Sequence, residues 1–259
     1  MIEVKNVSFS YGKEKVLDNI STQFRQGEIC AVLGVNGSGK TTLLRLLSRL
    51  SKPTEGSIEL DGKPFSAYER KEFAKNIAML PQCRAIPSIS VYEFVSHGRF
   101  PYLGFSRMLA SSDKEMIEKA ISYTGLGNMR NKNLNVLSGG ERQRAYIAML
   151  IAQNTKYVIL DEPTTYLDIA HNFEVMEMMR MMRDSGKGVA VVLHDLSQAL
   201  KYSDKVLLLE NGKTAFYGTP SDAMESGSIE RVFGVECTSR KYGDCTEYIF
   251  NPRTSGGKM

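Results

Sequence analysis

An α/β fold with a mostly parallel sheet is predicted by three features of this 259-residue chain. Four short apolar runs, at residues 29–33, 157–160, 189–193 and 206–209, are hydrophobic on both faces, as strands of a parallel sheet covered by helices must be. Alternating residues near the start (Ile2, Val4, Val7, Phe9) and the run Ile58-Glu59-Leu60 read as half-buried strands, which places an antiparallel section beside the parallel one. Between about residues 90 and 153 the periodicity turns helical, so a helical section interrupts the sheet.

In chain order, Gly12-Lys13 turns the first strand back toward Val16-Leu17, and Asp61-Gly62 closes the strand at 58–60. After the 29–33 run, Leu43, Leu44, Leu47 and Leu50 repeat at helical spacing. Met116, Ile117, Ala120 and Ile121 line one face of a helix for which Ser111 or Ser112 supplies the cap. The methionine-rich run at 176–182 fits core packing of an amphipathic helix better than metal binding. Asn211-Gly212, between Leu209 and Thr214, signals a hairpin. From about residue 227 the pattern is mixed, and it ends in a polar stretch at 254–258, an appended piece with a frayed end.

Composition narrows the partners. Charged residues make up 24%, hydrophobic residues 42%, and the net charge of +4 is too small and dispersed to favour nucleic acid. No apolar run reaches the roughly 18 residues of a membrane span. The start, Met1-Ile2-Glu3-Val4-Lys5, lacks a signal-peptide pattern. The expected location is the cytosol, or a membrane reached through partners. Cys30, Cys83, Cys237 and Cys245 form no C-x-x-C pair and read as reduced thiols, although Cys237 and Cys245 are spaced for a bridge or half a metal site.

The chemistry lies in three places. Gly34-Val35-Asn36-Gly37-Ser38-Gly39-Lys40-Thr41 is the full phosphate-cradling pattern G-x-x-x-x-G-K-[ST], set between a strand and a helix as that pattern requires. Its glycines let successive N–H groups face an anion, and the helix beginning near Lys40 adds its positive end. Lys40 then reaches terminal phosphates, the Thr41 hydroxyl binds Mg²⁺, and Thr42 completes the nucleotide-binding set. The chain is expected to bind a nucleoside triphosphate. Further on, the apolar run at 157–160 ends in Asp161 and Glu162, at the strand edge where parallel sheets bind ligands. Asp161 suits Mg²⁺, and Glu162 suits polarising an attacking water. Lastly, Ser138 caps a helix that opens on Gly139 and Gly140, whose outward N–H groups make a second anion site.

Leu137-Ser138-Gly139-Gly140-Glu141-Arg142-Gln143 resembles the signature sequence of the ATP-binding subunits of ATP-binding cassette (ABC) transporters, and the resemblance runs nearly end to end. It implies an ABC ATPase domain at 1–226, with a P-loop NTPase core at 1–82 and 155–226, a helical signature subdomain at 83–154, and an appendage at 227–259. Tyr11 resembles the aromatic residue that stacks on adenine. Gln82, in Leu80-Pro81-Gln82, resembles the glutamine that joins Mg²⁺ and the attacking water to the membrane subunit. Asp168 resembles the loop that crosses the dimer interface, and His194 the histidine that contacts the γ-phosphate. Two such chains pair head to tail in that family, so Ser138, Gly139 and Gly140 of one copy close on ATP held by the other.

A separate cassette with one phosphate loop, no coiled coil between Thr41 and Leu137 and no membrane span resembles an importer subunit more than an exporter cassette or a soluble ribosome- or chromosome-associated relative. Ser96-His97-Gly98-Arg99-Phe100-Pro101-Tyr102-Leu103-Gly104 resembles the Gly-Arg-x-Pro-x-x-Gly stretch of iron-chelate and vitamin B12 importers. The residues Leu167-Asp168-Ile169-Ala170-His171 resemble the same group. This implies a peripheral subunit on the cytoplasmic membrane face. It would power uptake of an iron chelate, haem or corrinoid through a permease dimer, with a substrate-binding protein as indirect partner. Another importer class, for molybdate, metal or another small solute, is the alternative. Residues 84–108 would dock on the permease, with Arg99, Phe100, Tyr102 and Phe105 exposed there and His97 serving packing or a subunit contact.

Overall fold

In the computed structural model, which describes residues 1–82, 86–105, 108–165, 167–243 and 245–253, the first two strands, β1 (Ile2–Tyr11) and β2 (Glu14–Phe24), pair antiparallel about the turn at Gly12 and Lys13. Next come β3 (Ile29–Leu33), α1 (Lys40–Leu47), β4 (Glu55–Leu60), β5 (Lys63–Pro64), α2 (Arg70–Ala74) and β6 (Ile77–Leu80). The helical section holds α3 (Val91–Ser96), α4 (Ser111–Tyr123) and α5 (Gly139–Gln153). The chain then returns to the sheet through β7 (Tyr157–Asp161), α6 (Ile169–Asp184), β8 (Gly188–Val192), α7 (Leu196–Tyr202), β9 (Lys205–Glu210) and β10 (Lys213–Gly218). It closes with α8 (Pro220–Glu225), α9 (Ser228–Phe233) and the antiparallel hairpin β11 (Val235–Tyr242) and β12 (Cys245–Pro252).

Besides that hairpin, two sheets form among the described residues, in the orders β2-β1-β4-β5 and β10-β9-β3-β8-β7-β6. The first is antiparallel throughout, and the second is parallel except for its edge strand β10. The central strand explains the continuous apolar runs, because both of its faces are covered. Ile29, Ala31 and Leu33 join a core shared with the helical section, while Cys30 and Val32 join a second core with α1 and the antiparallel sheet. Asn211 and Gly212 both take left-handed conformations, the type I′ hairpin turn that this dipeptide favours.

Several expectations change. Leu50 is 58% exposed rather than on the buried face of α1, because the helix stops at Leu47 and Arg49 takes a left-handed conformation. The cap of α4 is Ala110, whose N–H donates to Asp113 Oδ2 at 3.0 Å, so Ser111 already lies within the helix. β10 follows the Asn211-Gly212 turn as that signal predicts, whereas β6 and the β11–β12 hairpin have no clear strand signal in the sequence. Ile229 and Val232 of α9 are buried in the main core, and Cys237, Tyr248 and Phe250 of the β11–β12 hairpin pack against it. The methionines of α6 pack as expected, with Met176, Met178, Met179 and Met182 buried. Cys30 and Cys237 are free thiols. Cys83, Arg84, Tyr166, the Cys245 side chain and the tail at 254–258 lie outside the described residues.

Arg99 is the largest correction. It is buried, not presented to a partner: Nε donates to Asp113 Oδ1 at 2.9 Å and Nη1 to the Ala152 carbonyl at 2.8 Å. Its guanidinium lies 3.7 Å from the Tyr102 ring centroid, and the Tyr102 hydroxyl donates to the Gln153 carbonyl at 2.9 Å. Gly98 permits this, since a Cβ there would stand 2.4 Å from the Met149 carbonyl oxygen. The Gly-Arg-x-Pro stretch thus bolts the segment after α3 onto α5 and α4. Replacing Asp113 with Ala strands a buried guanidinium and is expected to cost about 3–5 kcal/mol in urea unfolding, with Asp113→Asn costing less.

Candidate functional site

The phosphate loop lies between β3 and α1, with Val35, Asn36 and Gly37 exposed and Ser38 and Gly39 buried. Its shape needs glycine at two places. A Cβ on Gly34 would stand 2.3 Å from the Leu209 carbonyl oxygen, and one on Gly39 2.5 Å from Leu17 Cδ2, with both residues at positive φ. Leu17 of β2 therefore rests directly on the loop. Lys40 Nζ curls back to donate to the carbonyls of Gly34 at 2.9 Å and Val35 at 3.0 Å. Burial presses its ammonium below the ordinary lysine value, against the opposing pull of Glu162 and Asp161. The buried Ser38 hydroxyl has no hydrogen-bond partner among the described residues.

The strand end brings up the acids. Thr41 Oγ1 donates to Asp161 Oδ1 at 3.3 Å, joining the start of α1 to the end of β7. The next residue, Glu162, adopts φ 51°, a left-handed conformation that is costly for a side-chain-bearing residue and clusters at functional sites. Its N–H is tied to the Val192 carbonyl at 3.2 Å. Three donors then converge on Glu162 Oε2: the Gln82 amide, His194 Nε2 at 2.7 Å and Thr165 Oγ1 at 3.2 Å. Gln82, Glu162 and His194 thus meet at one oxygen, as a shared catalytic role requires. Thr165 was not anticipated; its signal is a hydroxyl three residues after the carboxylate in a turn.

A second cluster forms where α5 begins. Ser138 and Glu141 make a reciprocal capping box, with Ser138 Oγ accepting from Glu141 N–H at 3.2 Å and Glu141 Oε2 accepting from Ser138 N–H at 2.8 Å. These bonds hold Glu141 below the usual carboxylate range. Gly139 is exposed, and the space where its Cβ would lie is open. Gly140, expected to face outward with it, is instead buried against the ring of His171. Asp168 is exposed and caps α6, accepting the His171 N–H at 2.9 Å, a bond that lowers its carboxyl. Gln143 donates to the Pro163 carbonyl at 2.6 Å, fastening α5 to the turn that carries Glu162. A cleft of about 220 Å³ runs between the clusters, lined by Gln82, Gly139, Gln143, Glu162 and Thr165 among others.

Tyr11 stands apart from both clusters. It is half exposed at the tip of β1, edge-on to Phe9 at 4.8 Å.

A strand–loop–helix phosphate cradle with a basic side chain inside it, backed by a carboxylate pair at the end of an adjacent parallel strand, defines a nucleoside-triphosphate hydrolase of the phosphate-loop class. The sequence profile of the ABC transporter family matches residues 17–165, and the chain belongs to that family as one of its ATP-binding, ATP-hydrolysing subunits. It is 40% identical to the petrobactin import ATP-binding protein FpuC of Bacillus anthracis, over 91% of this chain and 88% of that one. It is 39% identical to the ferric enterobactin transport ATP-binding protein FepC of Escherichia coli strain K12, over 90% and 87%. Among solved structures, a bacterial ABC transporter cassette in dimeric form superposes with a TM-score of 0.74 at 28% identity, covering 85% of this chain and 99% of that one.

Proposed function

We propose that this chain powers uptake of an iron chelate by binding and hydrolysing ATP between two copies of itself. The convergence of Gln82, His194 and Thr165 on Glu162 Oε2, beside a carboxylate bonded to the first residues of α1, carries the hydrolytic part. In this reading, residues 34–42 hold the phosphates and Tyr11 the adenine. The orphaned Ser38 hydroxyl and the open space at Gly37 favour an incoming anion. The hydroxyl of Thr41 and the carboxylate of Asp161, already adjacent, are a hard oxygen pair that fits Mg²⁺, and Gln82, bonded to the neighbouring Glu162, would join them. Bound there, Mg²⁺ would neutralise charge on the phosphates.

Glu162 then polarises the attacking water. His194 and Gln82 hold its carboxylate in place and, once a phosphate is present, turn to it and to the water. Ser138, Gly139, Gly140 and Asp168 act on the nucleotide of the second copy, which makes closure depend on ATP and release on hydrolysis.

The cargo reading rests on likeness. The two relatives above carry petrobactin import and ferric enterobactin transport in their names, and the likeness spans nine-tenths of this chain. No helix among the described residues is long and apolar enough to cross a membrane. In this reading, on the likeness to import ATP-binding subunits, the chain works through membrane permease subunits at the cytoplasmic face, with a substrate-binding protein upstream. Exposed Ile86, Phe100, Phe105 and Met108 give residues 86–108 the composition of a docking face. Deleting the gene is expected to abolish uptake of one iron chelate and leave sugar and amino-acid uptake intact. Loss of haem or corrinoid uptake alone reassigns the cargo, and loss of sugar uptake moves the chain to another importer class.

A further inference from the structure

His171 has no part in the chemistry above, yet it touches both halves of the second cluster. A Cβ built on Gly140 would stand 2.1 Å from His171 Cδ2 and 2.4 Å from Nε2, so the ring occupies the space a side chain at 140 would need. The opposite ring nitrogen, Nδ1, lies 2.7 Å from Asp168 Oδ1. That is the same oxygen that accepts the backbone N–H of His171 at 2.9 Å. In the neutral imidazole the proton on Nδ1 is the one that bonds the carboxylate, which fixes the tautomer and aims Nε2 at the signature turn. His171 is only 29% exposed although Asp168 is 65% exposed. The ring is wedged between the first turn of α5 and the cap of its own helix, α6. The adjoining contacts act in the same sense: Gln143 ties α5 to the Pro163 carbonyl in the turn after β7, and Arg144 ties α5 to Glu174 of α6 at 2.8 Å.

We propose that His171 is a positioning residue that locks Asp168 to Gly140, so that the signature turn and the interface loop approach the second copy as one piece. The proposal rests on the two-chain ATPase reading above. Its physical content is a double constraint. The carboxylate of Asp168 is held by two donors from one residue, which removes its rotamer freedom. The ring meanwhile sets the spacing between Asp168 and the first turn of α5. A signature turn free to slide relative to Asp168 would present its N–H groups out of register with a phosphate, and displacements of about 1 Å in such a site cost about 10²-fold in rate.

The backbone cap of α6 survives any side chain at 171, which separates folding from positioning. His171→Ala is therefore expected to leave the melting temperature and the Mg²⁺-ATP affinity of the isolated chain near parent values. Its kcat should fall at least about tenfold, and in a Glu162→Gln background ATP-dependent dimerisation should weaken in step. His171→Asn, whose amide N–H reaches the place of Nδ1, should recover most of the lost rate. Parent kcat in His171→Ala overturns the proposal. So does equal slowing of the Ala and Asn variants, or a loss of nucleotide affinity that accounts for the whole loss of rate. A parent chain without turnover, or a Lys40→Ala chain as active as the parent, overturns the ATPase-site reading and this proposal with it.

Discussion

Glu162→Gln is expected to bind ATP as tightly as the parent while turning it over roughly 10²–10⁴-fold more slowly, the range by which a positioned general base accelerates proton transfer. The geometry gives the reason. Oε2 of Glu162 takes bonds from Gln82, His194 and Thr165, and the carboxylate keeps a second oxygen for water. An amide retains one accepting oxygen and places a donor where the other stood, so the water loses its base while the phosphate loop is untouched. Because closure is favoured by ATP and undone by hydrolysis, the variant should accumulate as an ATP-bound dimer. Phosphate release and size-exclusion chromatography with Mg²⁺-ATP read the two effects. Parent-rate hydrolysis would remove Glu162 from the base role.

Lys40→Ala is expected to act at the preceding step. The ammonium already sits inside the loop on the carbonyls of Gly34 and Val35, partly buried, so transfer to a phosphate exchanges neutral acceptors for charged ones. Hydrogen bonds to charged groups contribute about 1.5–3 kcal/mol, which predicts a loss of affinity of about 10- to 150-fold in titration. Unchanged affinity would reject the assignment. The same variant tests the head-to-tail arrangement. Mixed with Gly139→Asp chains, it leaves one composite site with both an intact phosphate loop and an intact signature turn. ATP-dependent dimerisation of the mixture above that of either variant alone is expected, and no gain over the separate variants argues against action across the interface.

What the sequence reveals of this fold depends on how local the determinants are. β3, β7, β8 and β9 are legible because each is buried on both faces, so a run of consecutive apolar residues fills its middle whichever neighbour it meets. The phosphate loop is legible because a fixed eight-residue pattern meets its steric needs within the loop and its immediate strand and helix. β6 is not, since its short run makes sense only beside β7, whereas β10 is announced by the Asn211-Gly212 turn before it. Arg99 misled for a related reason: an arginine among aromatics has the composition of an interface, and only the fold brings Asp113 and the Ala152 carbonyl to it. The burial of Gly140 is not legible, because nothing near it in the chain announces the ring of His171. Thr165 and His171 each lie three residues after a carboxylate that they bind, which is a local signal, yet one that thousands of ordinary turns share.

The order of the central sheet also bears on how the chain is made. β3 is flanked by β8 and β9, so residues 29–33 are paired with residues 189–192 and 205–208. On the ribosome, the strands on both sides of the phosphate loop's own strand emerge about 160 residues after it. At typical elongation rates of about 5–20 residues per second, that interval lasts roughly 8–35 seconds. Throughout it Ile29, Cys30, Ala31, Val32 and Leu33 form a bare apolar strand with two open edges. The nascent chain thus exposes this strand to aggregation over that interval, and its nucleotide loop acquires a rigid frame only once residues 205–208 have emerged.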